Sequence, residues 1–126
     1  AVCVLKRQST STPLQALGLL NDPQFVEASR VMVQRICATS GEDPRHCIEI
    51  AFRKLTSRYP SQQELDNLLG LFKEELGNFN QQPSRAEALI SVGEMPLEGN
   101  IDTAKLAALT IVTNVIMNLD EAKMKS

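Results

Sequence analysis

The stretch DTAKLAALTIVTNVIMNLDE, residues 102–121, decides the reading of this chain. Asp102 supplies an N-cap carboxylate, and behind it Leu106, Leu109, Val112, Ile116 and Leu119 recur at helical spacing. Ala108, Ile111 and Val115 widen that stripe to more than half of the circumference, leaving Thr103, Thr110, Asn114, Asn118 and Glu121 as a polar strip. A helix that is apolar over so wide an arc must be covered by at least three neighbouring helices. Each large side chain it buries contributes about 1.5–3 kcal/mol, which makes this helix the organiser of the fold. The chain is therefore expected to be all-α, a single compact bundle of about six helices packed around its C-terminal helix.

The rest of the sequence supplies the partners. Working back, Ser84 followed by Glu87 has capping-box spacing ahead of RAEALISV, which Gly93 ends, and Asn78 to Pro83 reads as a polar linker. Ser61 with Glu64 is another capping box, opening a helix whose core face is Leu65, Leu68, Leu69, Phe72, Leu76 and Phe79. Tyr59-Pro60 separates it from a helix begun by Asp43-Pro44, with Ile48, Ala51, Phe52 and Leu55 inward. Pro23 to about Ser40 is a further helix, stopped by Gly41. Phe25, Ser29, Met32 and Ile36, flanked by Val26, Val33 and Cys37, are expected inside it, and Glu27, Arg30 and Gln34 on its solvated side. A short helix PLQALGLL follows the Thr12-Pro13 start signal and stops at Asn21, before Asp22-Pro23 opens the next. No period between 20 and 50 residues repeats, which argues against a solenoid.

Composition narrows the function classes. The 126 residues, 43% apolar and 22% charged, suit one soluble domain over residues 1–126, with residues 1–11 as a connection to something upstream. The net charge of −2 lacks the basic excess that binding to nucleic acid needs. The longest uncharged apolar run, between Lys105 and Asp120, is interrupted by Thr110, Thr113, Asn114 and Asn118, so no membrane span is expected. The opening AVCVLKRQSTSTP lacks the pattern of a signal peptide. Three cysteines, Cys3, Cys37 and Cys47, cannot all pair internally, and Cys37 and Cys47 read as reduced, buried thiols in helices. There is no CxxC, CxxCH, GxxxxGK[ST] or GxGxxG, so zinc, covalent haem and nucleotide by those motifs are not expected, and no cofactor is assigned to this chain.

Few constellations carry chemistry. His46 and Cys47 are adjacent, but neighbouring helical residues point about 100° apart. The wheel places His46 with Glu49 and Arg53 on the solvated side and turns Cys47 inward. Arg53, Lys54 and Arg58 read as a solvated face, and Lys6 and Arg7 as a small basic patch. Asn21 and Asp22 at the first corner, with Asn118, Asp120 and Glu121 at the end of the last helix, form two acidic-amide groups that would make one polar cluster if the fold joined them. Neither has calcium-loop spacing, and each reads first as capping exposed backbone groups at a helix end. No catalytic residue and no metal ligand is assigned.

KRQSTSTPLQALGLLNDPQFVEASR, from Lys6 to Arg30, resembles the opening signature of the domain of unknown function numbered 1553, found in large planctomycete-type proteins. IAFRKLTSRYPSQQEL resembles that family's helical hairpin, and SVGEMP followed by LAALTIVTNVIMNLDEA resembles its closing segment. The resemblance implies a C-terminal piece of a longer periplasmic or secreted polypeptide, often carrying a c-type cytochrome domain upstream, where any haem would sit. It implies no catalytic residue. The expected role is a non-catalytic helical accessory module of such a redox-associated protein, with the upstream domains of its parent polypeptide as partners. The rival expectation is a contribution to an enzyme, shaping a substrate or metal site together with an upstream domain.

Overall fold

The computed structural model describes residues 23–94, 96, 97 and 99–125, with side chains as far as Leu119. Five helices occupy them: α1 (Pro23–Ser40), α2 (Pro44–Thr56), α3 (Gln62–Gln81), α4 (Pro83–Ile90) and α5 (Thr103–Lys125), and no strand lies among the described residues. The helix expected over PLQALGLL lies outside the described residues, as does the connection over residues 1–11.

The start signals explain most boundaries. Asp43 is extended and its carboxylate accepts from the His46 backbone N–H at 3.2 Å, with Pro44 behind it where no amide donor is needed. Ser61 and Glu64 close the capping box in both directions, at 3.1 Å and 2.9 Å. The Asp102 carboxylate accepts from the Lys105 amide at 3.2 Å to start α5. Gly41 ends α1 at φ 88°, its amide returning to the Cys37 carbonyl.

One junction departs from the sequence reading. Helix α3 continues through Asn78–Gln81, so the expected polar linker shrinks to Gln82. Ser84 does not cap α4; the N-cap is Gln82, without a side-chain hydrogen bond, and Pro83 takes the first helical position. Two start signals overlap here. The proline, whose φ is fixed near the helical value, sets the boundary one residue ahead of the serine.

The core sits around α5, which packs against all four other described helices. Every residue from Leu106 to Ile116 is buried, Thr110, Thr113 and Asn114 included. The expected polar strip is therefore inside over this span. α1 contributes Val26, Val33 and Ile36, α2 contributes Cys47, Ile48, Ala51 and Phe52, α3 contributes Leu65, Leu68, Leu71, Phe72 and Phe79, and α4 contributes Ala86, Leu89 and Ile90. Leu69 and Leu76 rest at the margin of this core, and Leu71, which the sequence pattern omits, is fully inside. Among the described residues no helix is long and apolar enough to cross a membrane.

Candidate functional site

The structure places polar groups inside the bundle where the helical wheel of α1 puts solvent. Arg30 is 1% exposed and Gln34 is buried beside it, while Phe25, expected inside, is 46% exposed. The Arg30 guanidinium donates through Nη1 to Gln34 Oε1 one turn on, and to the backbone carbonyl of Pro96 at 3.4 Å. Pro96 belongs to the loop between α4 and α5. That same loop turns at Gly93 with φ 90°, and a β-carbon there would fall on the carboxylate of Glu27. Glu27, Arg30 and Gln34 thus form the strip by which α1 holds the loop that feeds α5.

A second polar group joins α1 to α5 directly. The Ser29 hydroxyl donates to the Phe25 carbonyl at 2.7 Å, and the Asn114 amide donates to Ser29 Oγ at 3.3 Å. Thr110 returns its hydroxyl to the Leu106 carbonyl at 2.7 Å. These bonds satisfy groups that would otherwise be costly to bury. They also occupy the serine: its hydroxyl donates to the Phe25 carbonyl, with Met117 Sδ also near at 3.6 Å, and its oxygen accepts from the Asn114 amide.

His46 and Cys47 diverge as the wheel predicts. His46 is half-exposed, its Nδ1 lying 4.0 Å from Glu49 Oε1, whereas Cys47 is buried against Cys37, with the two Sγ atoms 3.7 Å apart. Burial pushes the Cys37 thiol up and the Cys47 thiol up to about 12. Glu75 is a buried carboxylate in α3; burial, then the neighbouring Glu74, raises its pKa, and Arg85 works against that rise.

The basic residues Arg53, Lys54 and Arg58 line a shallow cleft of about 410 Å³ at the end of α2, with Ile50, Ser57 and Tyr59. Two of the three are already engaged. The Arg53 guanidinium stacks 4.2 Å above the Tyr59 ring, and Arg58 covers the Phe52 ring while forking onto Glu64 at 2.9 and 2.8 Å. Its hydrogen bonds hold Glu64 down at about 2.

Of the residues that the sequence proposes as one polar cluster, Asn21 and Asp22 lie outside the described residues. Asn118 is exposed on α5, and Asp120 and Glu121 continue the backbone of that helix, their side chains outside the description. Among the described residues no group of three or more histidine, cysteine, aspartate or glutamate side chains converges as a metal site. The buried polar residues Arg30, Gln34 and Asn114 were not legible as such. The i, i+4 spacing of Arg30 and Gln34 is the one local signal that they act together.

Fold and interior together define an all-α domain whose internal polar side chains bind helices and a loop to one another. The chain belongs to the family described as Protein of unknown function (DUF1553), whose family model matches residues 1–72. The matched span takes in α1, α2 and the first half of α3, while the closing segment with α5 lies beyond it. No curated protein and no solved structure matched the chain.

Proposed function

We propose that this chain is a non-catalytic helical accessory module that docks on an upstream domain of a larger parent protein. The observation that carries this reading is an open groove of about 550 Å³ along the outer face of α1. It is lined by apolar Ala28, Val31, Met32 and Ile36 together with polar Gln24 and Thr39 and charged Glu27, Arg35 and Lys54. Apolar surface mixed with charged and polar side chains is the composition of a protein–protein contact. Phe25 adds exposed aromatic surface on the same helix. The interior supports the same reading, since its polar groups are spent on holding α1, α5 and the intervening loop together.

The setting comes from the family resemblance: a periplasmic or secreted, redox-associated parent in which haem, where there is one, belongs to another domain. In this reading the module holds no cofactor and contacts no nucleic acid.

The test is to express the upstream part of the parent and this chain as separate polypeptides and measure their association. They should copurify, and Ala28→Glu or Val31→Glu should weaken the complex at least ten-fold while leaving the melting temperature of the module within about 2 °C, as expected for outward-facing positions. Ala38→Glu, exposed near the end of the same helix, should leave binding intact. Failure to associate, or association indifferent to the two groove variants, would overturn the proposal.

A further inference from the structure

Cys37 stands in the last turn of α1 and Cys47 in the first turns of α2, on either side of the corner at Gly41. The corner is tightly tied: the Gly41 amide donates to the Cys37 carbonyl at 3.1 Å, the Cys47 amide to the Asp43 carbonyl at 2.9 Å, and the Cys47 thiol lies 3.2 Å from the Gly41 carbonyl oxygen. These bonds bring the two sulfurs to 3.7 Å, as separate thiols that face one another. A bonded pair of sulfurs lies about 2 Å apart, so closure has a gap of about 1.7 Å to cover. Cys37 is half-buried, so a small molecule can reach it, whereas Cys47 is 3% exposed and reachable in practice only from Cys37.

We infer that Cys37 and Cys47 are a disulfide-forming pair, closed by exchange with a small-molecule disulfide, which staples α1 to α2. Cys37 loses its proton to water and attacks one sulfur of the reagent, here oxidised glutathione, forming a mixed disulfide and expelling one glutathione thiolate. Cys47 loses its proton and attacks Cys37 Sγ, expelling the second. Two protein thiols become one disulfide, and one glutathione disulfide becomes two glutathione thiols, so two electrons and two protons leave the protein. The charged groups around the pair are Glu42 and Asp43 at the corner and Lys105 from α5, whose Nζ is 3.8 Å from Glu42 Oε1. Because burial raises both thiols, closure is slow at neutral pH and accelerates toward pH 9. The inference is independent of the docking reading.

The test uses the full chain with Cys3→Ser, so that two thiols remain. The folded protein is incubated at pH 8.5 with glutathione mixtures of increasing oxidised fraction, quenched in acid, alkylated with N-ethylmaleimide in denaturant and weighed intact. Both labels should vanish together, without added glutathione mass. Trypsin should then release Ile36–Arg45 linked to His46–Arg53. The linked form should melt about 5–10 °C higher than the reduced one, since the bond closes a short loop. With Cys37→Ser in the same background, Cys47 should stay labelled. Two labels retained under excess oxidised glutathione, a glutathione adduct that goes no further, linkage only between separate chains, or a linked form that melts lower would each overturn the inference.

Discussion

Replacing Arg30 by alanine separates two accounts of the same helix. Were Arg30 on the solvated face that its neighbours Glu27 and Gln34 suggest, the substitution would change stability by about 0.5 kcal/mol at most. The structure instead gives it 1% exposure and uses its Nη1 to hold Gln34 Oε1 and the Pro96 carbonyl. Truncation strips the buried Gln34 acceptor of its donor, at about 1–3 kcal/mol, frees the exposed Pro96 carbonyl at little cost, and empties the buried space of a long side chain. Partial relaxation and water entry offset some of this, so the expected loss is about 3–4 kcal/mol. A chain of 126 residues unfolds with an entropy of about 0.26 kcal/mol/K, so that loss lowers the melting temperature by roughly 12–15 °C. Urea and thermal unfolding followed by far-ultraviolet circular dichroism measure both quantities, with Arg35→Ala, exposed on the same helix, as the control expected to do little. Cleavage at Glu94 by a glutamate-specific protease should also quicken in Arg30→Ala, because the loop has lost its anchor. An Arg30→Ala protein within 0.5 kcal/mol of its parent would refute the assignment of this side chain to the interior.

Leu109→Ala, at 1% exposure in the middle of α5, should cost about 2–5 kcal/mol by denaturant titration, whereas Leu97→Ala, at 52%, should cost less than about 0.5. Gly93→Ala should lose about 1–3 kcal/mol in the same assay, because its φ of 90° strains any β-carbon and that carbon meets the Glu27 carboxylate. Glu64, lowered from 4.5 to about 2 by Arg58, contributes stability that is complete above pH 4.5 and lost as the pH falls through 2. With a third of its side chain exposed, screening reduces that contribution to about 1 kcal/mol, and Glu64→Gln should abolish this part of the acid dependence when unfolding is compared at pH 5 and pH 2.

Local rules are enough to find the five described helices. Asp43-Pro44 and Ser61 with Glu64 mark their starts by bonds made within four residues, and those bonds are present as spaced. The apolar arc of residues 106–116 likewise demanded a central position, which α5 occupies. What periodicity could not show is where a polar residue finds its partner. Arg30 reaches Pro96 across 66 positions and Asn114 reaches Ser29 across 85, so neither bond leaves a short-range trace. Assigning polar residues to solvent puts Glu27, Arg30 and Gln34 outside and Phe25 inside, whereas Arg30, bonded to the loop, and Gln34, bonded to Arg30, are buried and Phe25 is exposed. The Gln82–Ser84 junction failed for another reason: two valid helix-start signals overlap, and spacing alone does not rank them. The sulfur pair was legible as two inward positions, but their meeting depends on the angle at Gly41, which the sequence does not encode in its periodicity.

The placement of α5 also bears on synthesis. Helices α1 to α4 leave the ribosome before the segment against which all of them pack, and their apolar stripes must wait with little to cover them until residues 103–119 emerge. A chain interrupted before that point would present those stripes to chaperones and proteases, so premature termination should yield rapidly degraded fragments instead of a smaller stable domain.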